Sequence, residues 1–134
     1  MATDAAENLD DESPSGPDDD TGETLARLAA RVADDRKAAD IVILDVGDVL
    51  SITGFFVIAS APNVRQVRNV ADEIELAAKN ELGRRPARVE GQREAQWILI
   101  DFGDVVVHVF HQETRSFYEI ERLYGDVPRL PFDA

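Results

Sequence analysis

The sequence predicts an α/β fold, a mixed β-sheet of about five strands with helices packed on it. Three observations carry this. Apolar residues recur at three-to-four spacing in two segments, around Leu25–Ala33 and Val64–Leu82, as on one face of an amphipathic helix. Short, β-branched apolar runs stand at Ile41–Val46, Phe55–Ala59, Trp97–Phe102 and Val105–Phe110, with the length and composition of strands. The last two runs are separated only by Gly103-Asp104, which fits a two-residue hairpin loop.

In chain order, the first helix begins near Thr24, with Thr21 or Thr24 as N-cap and Leu25, Leu28, Ala29, Val32 and Ala33 as its stripe. Ile41–Val46 is almost wholly apolar and reads as a strand buried on both faces. A turn at Gly47-Asp48 leads to a second strand, Phe55–Ala59. Asn63 and Gln66, three apart, open the long helix in a capping-box-like arrangement. Val64, Val67, Val70, Ala71, Ile74, Ala78 and Leu82 form its buried stripe, Arg68–Asp72 and Glu75–Lys79 are i,i+4 pairs on its wet face, and Gly83 stops it. Ala87–Glu90 reads as a short edge strand ahead of the hairpin. Ser116–Tyr124 closes the fold as a helix with Phe117, Ile120, Leu123 and Tyr124 on its apolar side.

Charge divides the chain into parts. Residues 1–23 hold nine acids and no Lys or Arg, whereas the remainder holds 18 acids against 14 bases, within a formal net charge of −13. Residues 1–23 are therefore expected to be a disordered acidic tail, 24–124 the folded domain, and 125–134, with Pro128 and Pro131, an irregular C-terminal tail. An acidic chain without a basic block is unsuited to binding DNA or bare RNA, which needs Lys and Arg against phosphate. No apolar run approaches the ~20 residues that span a bilayer, and no secretory signal precedes the domain. The absence of cysteine removes disulfides, thiolate nucleophiles and Cys-type zinc sites. A cytoplasmic domain is expected.

No catalytic constellation assembles. Asp101-Phe102-Gly103 spells the magnesium-binding tripeptide of protein kinases, but the other kinase motifs are absent and Gly103 suits a turn. Asp45, Asp48, Asp101 and Asp104 could hold Mg²⁺ only if brought together, and their i,i+3 spacing points opposite ways in a strand. His108 and His111 likewise face opposite sides of a strand. His108 shares a face with Val106 and Phe110, as a hydrogen-bonded sheet histidine or a contact at a partner surface. It has no nucleophile to serve. Trp97, the only tryptophan, either packs or anchors a partner. A binding module requiring no cofactor or metal is expected.

Certain runs carry a resemblance. They are Ala39–Val46, Ser51 with Phe56-Val57-Ile58-Ala59, Arg65-Gln66-Val67, Glu90-Gly91, Trp97–Phe110 and Arg115–Leu123. In this order, and above all in the block from Trp97 through Asp101-Phe102-Gly103-Asp104-Val105 to His108 and Phe110, then Arg115, Tyr118 and Glu121, the chain resembles the ribosomal silencing factor (Iojap-like) family from about Thr24 to Tyr124. The resemblance implies a nucleotidyltransferase-like fold without the catalytic carboxylates, and no enzyme. It implies binding to ribosomal protein number fourteen of the large subunit, on the face that meets the small subunit. Occupying that face would block subunit joining and lower translation under nutrient limitation. That partner is basic, so an acidic domain would gain association rate from steering.

Carried over by motif, the interaction surface falls on Trp97, Ile100, Asp101, His108 and Tyr118. Trp97 and Tyr118 would be aromatic anchors with Ile100 between them, and Asp101 would accept hydrogen bonds from the partner's Lys or Arg. In an ideal strand Trp97 and Ile100 point to opposite faces, so both meet one partner only at a bulge or strand edge. The chain departs from the family's pattern at Thr53-Gly54-Phe55, where an acid is usual at position 54, and at Leu123-Tyr124, where Leu-Trp is common. Family members are often dimeric, so a homodimer is compatible with the resemblance. The alternative readings are a large-subunit assembly factor and a Mg²⁺-dependent nucleotidyltransferase-like enzyme.

Overall fold

The computed structural model describes residues 15–131, with side-chain surroundings from Gly22 onward, so residues 1–14 of the acidic tail expected over 1–23 lie outside the described residues. Helix α1 spans Ser15–Asp35 and starts well before Thr24; residues 15–23 are its first turns rather than tail. The sequence supports such a start. Pro17 stands in the first turn, where its missing N–H costs nothing. Leu25, Ala26, Ala29, Ala30 and Ala33 are buried against the sheet and α2. Small alanines let the helix approach closely. The helix ends with Lys37 left-handed (φ 69°) and Ala38 N–H donating to the Ala33 carbonyl at 2.9 Å.

Strands β1 (Ala39–Asp45) and β2 (Phe55–Ala61) form an antiparallel pair, with an irregular register between Ala39 and Val42 and a left-handed Asp40. Helix α2 (Val64–Leu82) follows. Asn63 Oδ1 accepts from the Gln66 N–H at 2.8 Å, and left-handed Gly83 closes the other end. Its buried positions are Val67, Val70, Ala71, Ile74 and Ala78, with Val64 and Leu82 half-buried beside them. Of the expected wet-face pairs, Arg68 turns instead to the carbonyls of Gln92 and Arg93, and the neighbouring Glu73 pairs with Arg36 of the loop after α1 at 2.9 Å. A longer-range partner that fixes a loop outcompetes an i,i+4 pair worth a few tenths of a kcal/mol.

Then come β3 (Arg88–Glu90), β4 (Trp97–Asp101), β5 (Val105–His111), α3 (Gln112–Tyr118), α4 (Ile120–Leu123) and β6 (Arg129–Leu130). The sheet order is β3-β4-β5-β2-β1-β6, with β2 and β5 parallel and every other pair antiparallel. The turn between β4 and β5 is the expected two-residue loop. Phe102 N–H donates to the Val105 carbonyl at 2.9 Å, and Gly103 supplies φ 95°. The sixth strand lies in the tail expected to be irregular. Between Pro128 and Pro131, Arg129-Leu130 pairs with Leu44 and Ile43 and covers the edge of β1.

Side chains alternate between two cores. Ile43, Val57, Ala59, Ile98, Ile100, Val105, Val107 and Val109 face α1 and α2. Leu44, Val46, Phe56, Ile58, Val106 and Phe110 face the other way, where α3, α4, the Tyr124–Val127 segment and Leu50 of the β1–β2 connection cover them. The closing helix is not continuous. Glu119 is left-handed (φ 48°) and splits it, so that Ile120 is buried while Phe117 and Leu123, expected on its apolar side, are 80% and 77% exposed. Among the described residues no helix is long and apolar enough to cross a membrane.

Candidate partner-binding face

The thinly covered side of the sheet ends, at β4 and β3, in a face that only the end of α3 reaches, through Tyr118. Trp97, Leu99 and Asp101 project there by alternation along β4, and all three are half-buried. On β3, Glu90 stands opposite Leu99 and Arg88 opposite Asp101. The ring of Trp97 stacks on Phe110 (centroids 4.7 Å apart) and meets Tyr118 of α3 at 5.0 Å; Phe117 touches Tyr118 edge-on at 5.0 Å. Tyr118 is 52% exposed, so an aromatic strip runs outward from the sheet through Trp97 and Tyr118 to Phe117.

Arg115 holds the strip in place. It is 7% exposed, donates from Nη1 to Ser60 Oγ (3.1 Å) and to the Ala39 carbonyl (3.4 Å), and grips Glu121 with Nε and Nη2, each at 3.1 Å. One guanidinium thus ties α3 and α4 to β1 and β2. This explains the Arg115…Tyr118…Glu121 spacing: the ends of the motif clamp, and its middle residue is presented. His111 caps α3, its Nδ1 accepting from the Glu113 N–H at 3.3 Å.

His108 lies under Trp97. Trp97 Nε1–H donates to His108 Nδ1 at 3.1 Å, and Phe56 meets the imidazole edge-on at 4.7 Å. The histidine is 5% exposed, its Nε2 has no partner, and burial lowers its pKa from 6.5 to about 4, keeping it neutral.

Two of the five residues carried over by motif are therefore not at the surface. Ile100 is fully buried beneath the helices, on the face opposite Trp97, and no partner reaches it without opening the core. His108 is on the same face as Trp97 but lies beneath the aromatic layer. Trp97, Tyr118 and Asp101 remain exposed enough to be touched. Asp101 is already engaged, its Oδ1 accepting from Gly103 N–H at 2.8 Å and its Oδ2 from Arg88 Nε at 3.3 Å. Sequence reasoning passed over Leu99 and Phe117. Strict alternation from Trp97 places Leu99 on the open face, whereas Phe117 is exposed only because Glu119 interrupts the helix.

The four candidate metal-binding acids are dispersed. Asp45 and Asp101 stand at one end of the sheet on β1 and β4, with β2 and β5 between them, roughly 14 Å apart at ~4.8 Å per strand. Asp45 closes its own turn by accepting from Gly47 N–H at 3.2 Å, and Asp104 pairs with Arg84 at 2.6 Å. Among the described residues no three His, Cys, Asp or Glu groups converge as a metal site.

A helix-backed sheet whose other side presents an aromatic strip flanked by charges has the construction of a protein-binding module. Comparison with known proteins gives the family. A family model described as "Ribosomal silencing factor during starvation" matches residues 19–134 and so includes the C-terminal segment expected to lie outside the shared region. The ribosomal silencing factor RsfS of Bacillus subtilis is 40% identical over 110 residues, 82% of this chain and 92% of that protein. Its counterpart in Halalkalibacterium halodurans is 39% identical over 114 residues, 85% and 97% of the two chains. A crystal structure from Chromobacterium violaceum superposes with a TM-score of 0.74 at 32% identity, covering 84% of this chain and 92% of that one. The chain belongs to the ribosomal silencing factor family, whose members are named for a regulatory role rather than for an enzymatic reaction.

Proposed function

We propose that this protein represses translation by binding the large ribosomal subunit through ribosomal protein number fourteen and sterically blocking the approach of the small subunit. The observation that supports this most is the strip of Trp97, Tyr118 and Phe117, exposed beside Leu99 and Asp101 where α3 meets the thinly covered side of the sheet. Its aromatics provide large rigid area, and Asp101 and Glu90 provide acceptors for a basic partner. Ile100 and His108 support the surface from beneath and make no contact themselves. Such a protein performs no chemistry, and its effect follows from occupying a bridge between subunits. It would act in the compartment where ribosomes assemble on messages, the cytoplasm.

The test is co-sedimentation of the purified protein with isolated large subunits, followed by addition of small subunits. Binding that lowers the yield of joined ribosomes is expected. Absence of binding at near-physiological salt would defeat the proposal. Binding confined to immature large subunits would favour an assembly role instead.

A further inference from the structure

We propose that His108 is a positioning residue for the Trp97 anchor: its Nδ1 takes the indole N–H and fixes the ring in the orientation presented to the partner. This rests on the reading of the aromatic face as the docking surface, and it replaces the direct contact that the family resemblance suggested for His108.

The geometry supports the inference from both sides of the bond. A half-buried tryptophan on a strand facing open space can turn about its side-chain torsions. Here the Nε1–His108 Nδ1 bond at 3.1 Å and stacking on Phe110 restrict it. The imidazole is itself constrained, edge-on to Phe56 at 4.7 Å and nearly parallel to Phe110 at 12°. Accepting the indole proton requires a lone pair on Nδ1, which in the neutral ring puts the proton on Nε2. That Nε2 is buried without a partner. An apolar residue would fill the same space without leaving a polar atom unsatisfied, so packing alone does not account for a histidine here. What histidine adds is an acceptor at the Nδ1 position. Burial keeps it an acceptor at neutral pH, since no charged group contributes to its shift.

Three readouts test the proposal. The chain has two histidines, so a long-range ¹H–¹⁵N spectrum of the labelled protein resolves both rings. At pH 7 His108 is expected with Nδ1 unprotonated and Nε2 protonated; a proton on Nδ1 overturns the proposal without any mutation. Trp97 is the only tryptophan, so its emission reports this site in the free protein. His108→Asn keeps an acceptor close to the Nδ1 position and should preserve the emission. His108→Leu removes the acceptor at similar volume and should shift it. In binding to isolated large subunits, H108N should stay within about twofold of wild type, and H108L should weaken by about three- to tenfold, mainly through faster dissociation. An H108L protein with wild-type emission and affinity, or an H108N protein as weak as H108L, overturns the positioning role. Failure of the wild-type protein itself to bind large subunits removes the docking reading instead; the tautomer and the emission then still decide whether His108 holds Trp97.

Discussion

Trp97 and Tyr118 meet with ring centroids 5.0 Å apart, one on strand β4 and the other on helix α3. Each is held by a buried polar residue below it: Trp97 by the acceptor on His108, and Tyr118, through its helix, by the Arg115 guanidinium between Ser60 and Glu121. The pair is thus built before any partner arrives. If this face docks the partner as proposed, that lowers the ordering cost of association and concentrates binding energy in two side chains.

Truncation should therefore separate binding from folding. Trp97→Ala and Tyr118→Ala are each expected to cost about 2–4 kcal/mol of binding, a loss of roughly thirtyfold or more, in a domain that still unfolds cooperatively. Ile100→Ala should behave in the opposite way, lowering stability by about 2–5 kcal/mol through a cavity beneath the helices. Its binding per folded molecule should be unchanged. Co-sedimentation with large subunits and urea denaturation on the same three variants check this. A folded Trp97→Ala protein with wild-type affinity would displace the docking face from this side of the sheet.

Arg115 gives a second separation. Removing one partner of a largely buried, hydrogen-bonded ion pair leaves the other uncompensated: Arg115→Ala would leave Glu121 without its cation, whereas Ser60 keeps its hydrogen bond to the Ala39 carbonyl. A loss of about 2–3 kcal/mol is expected, below the figure for a fully buried pair because Glu121 is partly solvated, with α3 and α4 exchanging amide hydrogens first, because the guanidinium is their tie to β1 and β2. Arg115→Lys should recover only part, since an ammonium cannot span Ser60, the Ala39 carbonyl and Glu121 in one plane. Hydrogen exchange followed by mass spectrometry reads this, and uniform protection loss across the sheet would contradict the local tie.

How much of this was legible in the sequence depends on the range of the determining interaction. The caps at Asn63 and Gly83, the stripe of α2 and the Gly103 hairpin are local, and their residues specify them directly. The break at Glu119 is not local. Nothing in Ser116–Tyr124 interrupts a helical pattern; the interruption accompanies the long reach of Arg115 to Ser60 and Ala39, so Phe117 and Leu123 turn outward against their apolar spacing. The same holds for β6, which exists because β1 offers it an edge. At the site, alternation correctly set Trp97 and Ile100 on opposite faces. It could not say which face the helices cover, and that decides which of the two is core.

Gly91 carries a backbone constraint on the anchor. It has φ 88°, and a Cβ built there would overlap the carbonyl oxygen of Trp97. Gly91→Ala must therefore shift the start of β4, whereas Gly83→Ala meets no neighbour within 4 Å and bears only the left-handed strain of about 1 kcal/mol. G91A is expected to be the more destabilised of the two and to change Trp97 emission, with G83A leaving emission as in wild type. Equal stabilities and identical spectra would mean that the turn absorbs the methyl group without moving Trp97.

The buried histidine also makes stability depend on pH in a defined window. Burial lowers the folded pKa of His108 from 6.5 to about 4, so between these values the unfolded chain binds more protons than the native one. The contribution of neutral His108 is fully present above about pH 6.5. It is lost as pH falls toward 4, and this group adds no further loss below that. Integrated over the window, roughly 2 kcal/mol should be gone at pH 5 and about 3 kcal/mol once the folded-state value is passed. Protonation also puts a hydrogen on Nδ1, where the Trp97 indole N–H points, so the two donors oppose each other and the anchor is released as stability falls. Other groups titrate in the same range; the partly buried carboxyl of Glu75 is shifted upward, chiefly by desolvation and also by Asp72. The diagnostic quantity is therefore the difference between wild type and His108→Asn, which cannot titrate at this position. Measured by urea unfolding from pH 7.5 to 4.5, the stability of wild type relative to His108→Asn should fall by roughly 2 kcal/mol by pH 5, because only the wild type loses the histidine contribution. Parallel pH profiles would mean that His108 is solvated, and therefore protonated, as readily in the folded protein as in the unfolded chain.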